Sequence, residues 1–287
     1  MTTLTQVYSF SFNNQTFGGA GSPYQILSVD GLESLPGIRN QDDNRGYADG
    51  MFSGRDFLAG RTITIIFNTL GTPGGASAQT NYNTIQSVLL PQTQGTTPLY
   101  FKFPNSPTSE QFVNARVRGL KTVVDPNYTY GYITSMVEFF CPDPNYYNNL
   151  TQTAVMAVLP PVGRTYNRIY NLVYGNNTNT VQTTISNIGW GTTYPTITLV
   201  GPIINPVLGD LTSGNALNFT VLMDSADTLV VDLYNKLITF NGQAARNLLT
   251  SGTWFAAPPG NSTFYLFGTG TAANVTEATV TWNSAYI

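Results

Sequence analysis

Asp227-Thr-Leu-Val-Val-Asp-Leu-Tyr-Asn-Lys-Leu-Ile-Thr-Phe-Asn241-Gly242 carries the clearest strand signal in the chain. Leu229, Val231 and Leu233 share one face of an extended segment, and Val230, Asp232 and Tyr234 share the other. Asn235-Lys236 interrupts this alternation, and Leu237-Ile-Thr-Phe240 resumes it up to Asn241-Gly242. Asn-Gly suits a tight type I′ connection because both residues tolerate positive φ. The segment therefore reads as a hairpin running into a second turn. A hairpin cannot stand alone in water, so the rest of the chain must supply a sheet to cover its apolar face.

Composition allows this. At 287 residues the chain is long enough for two domains of ordinary size or one large all-β domain, and its 41% hydrophobic and 13% aromatic content suffices for real cores. Only 9% of residues are charged, against roughly one quarter in ordinary soluble proteins. Neutral Asn, Thr, Gln and Ser surfaces of this kind suit subunit packing. The net charge of −3 and the lack of a basic run argue against nucleic-acid recognition, which needs clustered cations. No apolar run approaches the roughly 18 residues of a membrane span, and no signal peptide is expected at Met1-Thr-Thr-Leu-Thr-Gln-Val-Tyr8. Cys141 is the only cysteine, so an internal disulfide is excluded. There is no histidine, which removes Ser-His-Asp and Cys-His nucleophilic systems and imidazole zinc sites together. No catalytic residue, metal site or cofactor is expected, and Cys141 reads as a packed thiol.

Working outward, the first half reads as strands at 8–12, 24–29, 61–67, 99–103, 113–124 and 130–140, with one helix from Gln79 to Leu90 ahead of Pro91. Residues 30 to 61 hold ten charged residues of alternating sign among recurring glycines. A glycosidase-type carboxylate pair is one reading of this cluster, but nothing marks one carboxylate as desolvated. Loops tied by ion pairs are the bland reading. The third is a subunit interface, because complementary charge sets register more than affinity. The candidate interface charges are Arg39, Asp42, Asp43, Arg45, Asp49, Arg55 and Asp56. Arg116, Arg118 and Lys121 do not share one face by strand parity and read as solvated. Val155 to Leu159 reads as a last strand, and Pro160-Pro161 as a stiff joint, dividing the chain into domains 1–159 and 160–287.

In the second half, strand-like segments at 181–188, 196–200, 216–223, 264–268 and 277–285 surround the opening hairpin. Strands this short, at this spacing, imply a sandwich or jelly roll. Trp254 is expected in its core, while Trp190 and Trp282 have no assigned place.

With both halves laid out, the chain resembles the distal tail proteins of long-tailed, non-contractile bacteriophages, the siphovirus-type tail components. In the first half the resemblance rests on Arg39, Gly50, the Gly60-Arg61-Thr-Ile-Thr-Ile strand, the helix before Pro91, and Glu138-Phe-Phe-Cys-Pro-Asp-Pro-Asn-Tyr-Tyr147. In the second half it rests on Gly163-Arg-Thr-Tyr-Asn-Arg-Ile-Tyr-Asn-Leu-Val-Tyr-Gly175, Asn205-Pro206 with Thr212-Ser-Gly214, the 227–242 hairpin, and Thr253-Trp-Phe through Pro259-Gly-Asn-Ser-Thr-Phe264. The family often has paired tryptophans where this chain has Trp254-Phe255.

The resemblance implies a mostly β protein: an N-terminal β-sandwich or split barrel with one helix, followed by a galectin-like, jelly-roll type β-sandwich. It further implies a non-enzymatic adaptor at the virion tail tip, assembled in the bacterial host cytoplasm. There a hexameric ring would join the tail tube protein to a baseplate hub, tail-associated lysin or fibre protein. A carbohydrate-binding adhesin acting through the second domain is the alternative, with cell-wall carbohydrate as its ligand.

Overall fold

The computed structural model describes residues 4–72, 76–103, 110–158, 180–270 and 276–287. Stretch 163–175 and the Pro160-Pro161 joint lie outside them. The chain forms two compact units, 1–149 together with Ile287, and 150–286. The sequence spacing put the strand near Val155 at the end of the first domain. It runs from Gln152 to Val158 and pairs along its whole length with Thr276–Trp282, so it belongs to the second unit.

In the first unit the hydrogen-bonded order is Gln15–Gly18, Ser9–Phe12, Thr97–Lys102, Gln111–Val123, Tyr132–Cys141, Arg61–Leu70, Tyr24–Asp30. The long Gln111–Val123 strand serves two half-sheets. Residues 111–115 pair with 97–101, and residues 116–123 pair with 134–140. Between the halves sits an aromatic core in which Phe10 stacks on Phe17 at 4.3 Å and Phe12 meets Phe139 edge-on at 5.0 Å. Ile63, Ile65 and Phe67 enter it by strict alternation, each fully buried phenylalanine contributing about 1.5–3 kcal/mol. Tyr8, expected inside the first strand, lies outside it at φ 54 and is exposed. The helix spans Ala76–Val88, beginning three residues before the expected start. Ile85 and Leu89 point into the core, while Asn81 donates to Leu70 O at 2.8 Å and accepts from Tyr24 Oη at 3.3 Å.

The second unit has two sheets. One runs Gln152–Val158, Thr276–Trp282, Thr196–Val200, Thr228–Asp232, Leu237–Phe240, Gln243–Ala244. The other runs Thr180–Asn187, Gly260–Gly270, Ile203–Asp210, Asn215–Phe219, Leu249–Gly252, with Leu222–Met223 added to Ile203-Ile204. Met156, Ile197, Leu199, Leu229, Val231, Ile238 and Val280 of the first meet Ile185, Leu208, Leu217, Phe219, Phe264 and Leu266 of the second in one core. That is the sandwich the spacing implied.

The opening stretch behaves as read. Leu229, Val231 and Leu233 are buried, and Phe240 pairs with Gln243 across Asn241-Gly242, whose φ values are 49° and 78°. Asn241 Nδ2 donates to Asp227 Oδ1 at 2.8 Å, and this bond, followed by the backbone of Asp224, pulls the Asp227 carboxyl below its ordinary pKa.

Gln15–Gly18, Leu249–Gly252 and Ile203–Asp210 were not expected as strands. Ile203–Asp210 lies between two partners although it contains Pro206, which cannot donate to a ladder. A bulge between Ile204 and Val207 absorbs it, with Asn205 at φ 48.

Candidate functional site

The charged cluster of residues 30–61 is an arm. Ile38-Arg39 pairs with Phe57-Leu58, and farther out Asp43-Asn44 pairs with Met51-Phe52, giving one irregular hairpin closed by Arg45 N donating to Gly50 O at 3.4 Å. The strands approach so closely at Gly54 that a Cβ there would stand 1.9 Å from Gln41 O, and Gly54 N donates to Asp42 Oδ1 at 2.8 Å. From Gly37 to Leu58 every residue except half-buried Asp42 is exposed, so the rest of the unit does not cover the arm. Its apolar side chains, Ile38, Tyr47, Met51 and Phe52, stand in solvent at half exposure or more.

All seven candidate interface charges lie on this arm, but among the described residues ion pairing is not what orders them. Arg39 lies 5.7 Å from the Phe57 ring, Arg55 5.7 Å from the same ring, and Arg45 5.0 Å from Phe52. Planar guanidinium groups gain from the ring quadrupole and from apolar contact. Asp42 is used internally, accepting also from Asn40 Nδ2 at 3.1 Å. Asp43, Asp49 and Asp56 remain exposed.

Arg61 holds the root of the arm. It shares parity with Ile63 and Ile65 and is buried to 2% exposure. Its Nη1 donates to Gly31 O at 3.0 Å, to Ser34 O at 2.7 Å and to Leu32 O, and its Nε donates to Pro144 O at 3.1 Å. The guanidinium also sits 5.4 Å from the Tyr146 ring. Burial lowers its pKa, and the nearby Tyr146 and Cys141 work in the other direction. Cys141 is fully buried across the ladder from Arg61, and burial pushes its thiol up to about 12. A thiol in that setting is inert packing.

The parity reading of Arg116, Arg118 and Lys121 is overturned. Arg116 pairs with Phe140 and Lys121 with Met136, and these partners are on one face of their strand. The reason is a bulge between Val117 and Gly119, which inserts Arg118 and reverses the phase of everything after it. Arg116 and Arg118 both lie over Phe140, at 5.4 and 4.9 Å. Glycine inside a strand pattern is the sequence signal for such a bulge, and Gly119 is that glycine.

A groove of about 600 Å³ runs beside Tyr24–Asp30 and includes Asp30 and Glu33 in its wall. Both carboxylates are exposed, not held in the apolar setting a glycosidase acid needs. Among the described residues, no group of three or more His, Cys, Asp or Glu could hold a metal ion. No helix there is long and apolar enough to cross a membrane.

In the second unit, Tyr265 projects from the outer side of its sheet between buried Phe264 and Leu266. Its phenol end lies flat over Gly209, where a Cβ would stand 2.5 Å from Cε1 and Cζ. Phe267 follows on the same face at 46% exposure, with Gln182 directly across from Tyr265. Trp254 packs against the core while Arg246 covers its ring at 4.9 Å. Trp282 is buried and donates from Nε1 to Ser186 O at 3.0 Å, and Trp190 is 55% exposed against Tyr286.

Residues 188–286 match the family model described as siphovirus-type tail component, C-terminal domain. The chain carries a siphovirus-type tail component domain. No curated protein matches the sequence. Among solved structures, the SPP1 Dit (gp 19.1) protein, titled a paradigm of the hub adsorption apparatus in phages infecting Gram-positive bacteria, is 16% identical. The match covers 98% of this chain and 100% of that one at a TM-score of 0.68, so the two share a fold. A chain of the phage P2 baseplate in its activated conformation with Ca is 9% identical, covering 95% of this chain and 97% of that one at a TM-score of 0.49.

Proposed function

We propose that this tail component is a structural hub of a phage tail tip. Its first unit would close into a ring, six-fold in the expected form, seated between the tail tube protein and a tail-associated lysin, hub or fibre protein. The second unit, a galectin-like sandwich in this reading, would project from the ring. The observation that carries the proposal is the arm: a hairpin with apolar and charged side chains that its own unit leaves uncovered, in a chain sharing the SPP1 Dit hub fold. Exposed apolar surface rimmed by polar groups marks an interaction site. An arm on one patch engaging a different patch on the next copy is a heterologous contact, which generates a ring when the rotation closes. Arg39, Asp42, Asp43, Arg45, Asp49, Arg55 and Asp56 then set its register. The role is non-enzymatic, in a virion assembled in the host cytoplasm. Removing residues 40–56 and joining the ends with a short Gly-Ser turn should leave a folded monomer. A deletion variant that still forms the parent's oligomer would remove the arm from the interface.

A second reading is favoured by Tyr265. A flat, half-open aromatic on a sheet face, beside Phe267 and the exposed amide of Gln182, is a platform on which the apolar face of a neutral pyranose could stack. In this reading the outer unit also grips cell-wall carbohydrate. Pull-down of the full chain on purified host cell walls tests it. Binding that Tyr265→Ala abolishes, with assembly unchanged, supports it, and binding indifferent to Tyr265 rejects it.

A further inference from the structure

The bulge at Arg118 gives the first unit a cationic outer face that strand parity conceals. Arg118 and Lys121 are exposed there, and Arg116 and Arg118 are parked on Phe140, so little side-chain freedom remains to be lost on binding. Arg116 Nε is buried with no hydrogen-bond partner among the described residues. The same face carries Glu138, which pairs with Gly119, and beyond it Asp30 through Thr64. It is therefore a face of mixed sign with a positive margin.

Resting on the ring reading, we propose that this face seats the arm of a second copy. Asp43, Asp49 and Asp56 of one copy would lie against Arg116, Arg118 and Lys121 of the next. The arm offers those carboxylates because its own arginines are turned onto Phe52 and Phe57. It also offers Ile38, Tyr47, Met51 and Phe52, which gain burial only against another molecule. Complementary surfaces are scarce in this chain, which has 12 Lys and Arg in all. Three of them are on the arm itself, and Arg61 is buried at its root. Glu138 and Asp30 oppose a shifted arm by like-charge repulsion, so the pattern selects one register. Arm and face are different patches of one unit, which makes the contact head-to-tail and able to close.

A charge exchange tests this on the full chain, with native mass spectrometry for assembly and thermal unfolding for folding. Arg118→Glu with Lys121→Glu changes only exposed side chains and should abolish the parent's oligomer at unchanged unfolding temperature. Asp43→Lys, Asp49→Lys and Asp56→Lys together should do the same. The chain carrying all five changes should recover the oligomer. If the Arg118/Lys121 variant assembles like the parent, these cations merely blunt a strand edge, and the docking proposal falls while the ring stands. Failure of the five-fold variant to recover, with its fold intact, also overturns the pairing. A parent that is monomeric at every concentration overturns the ring reading and this inference with it.

Discussion

Replacing Arg61 by methionine keeps most of the side-chain volume and removes every donor from the root of the arm. Four carbonyls, those of Gly31, Leu32, Ser34 and Pro144, lose their partner. A buried acceptor left unpaired costs about 1–3 kcal/mol. Ser34 is exposed and Gly31 half-buried, so water can replace part of that loss. The wild-type arginine itself carries a desolvation cost that methionine does not, which offsets more of it. The expected net destabilisation is about 3 kcal/mol, or roughly 6–12 °C in the unfolding temperature for a unit of this size. Scanning calorimetry of the full chain should show the first unit's transition move by that amount and the second unit's stay in place. Limited proteolysis should at the same time find new cleavage between residues 33 and 60. A shift under about 1 kcal/mol would refute the reasoning, because the four carbonyls would then be satisfied without Arg61.

Cys141 should not react with an aromatic disulfide reagent at pH 8 until the chain is unfolded, since burial raises the thiol to about 12. Rapid labelling of the native protein would contradict that burial. The raised thiol pKa also fixes a sign. Between its ordinary value of 9.0 and about 12 the folded chain keeps the proton that the unfolded chain has lost, so stability falls as pH rises. The slope is up to about 1.4 kcal/mol per pH unit from this group, and Cys141→Val should remove it from alkaline denaturation curves. Asn187 is buried, donates to Gly191 O at 2.8 Å and Ala257 O at 3.2 Å, and accepts from Gly189 N and Ala285 N. Asn187→Ala orphans the Gly191 carbonyl and both amides, while the Ala257 carbonyl keeps Thr193 N at 2.9 Å, and should destabilise the second unit by about 2–4 kcal/mol in urea titration, against under about 1 for Asn218→Ala at the surface.

What could be read in advance depended on whether the chemistry was local. Asn241-Gly242 announces its turn because positive φ is a property of those two residues, and the turn forms as expected. The arms of that hairpin follow from alternation alone, as do Ile63, Ile65 and Phe67. Alternation fails where a residue is inserted. Ile203–Asp210 was hidden by Pro206, which only a bulge makes compatible with an inner strand. Strand parity puts Arg116 and Lys121 on opposite faces because it carries no phase change, and Gly119 signals a bulge without fixing which residue is inserted. Arg61 keeps the parity of its buried neighbours, yet its charge counts it in the cluster of residues 30 to 61 and gives no sign of burial. The charge cluster itself was visible, but its shape was not. Ladders of two residues leave no periodicity to read, and a hairpin uncovered by its own unit has no buried face for alternation to mark.

We propose that this chain assembles through its arm into a ring. Native mass spectrometry of the full chain at low ionic strength tests it most directly. A six-fold ring held through the charged arm would give a dominant species of six times the 31.2 kDa chain that dissociates as salt is raised. A monomer at every concentration, or a dimer indifferent to salt, would contradict it.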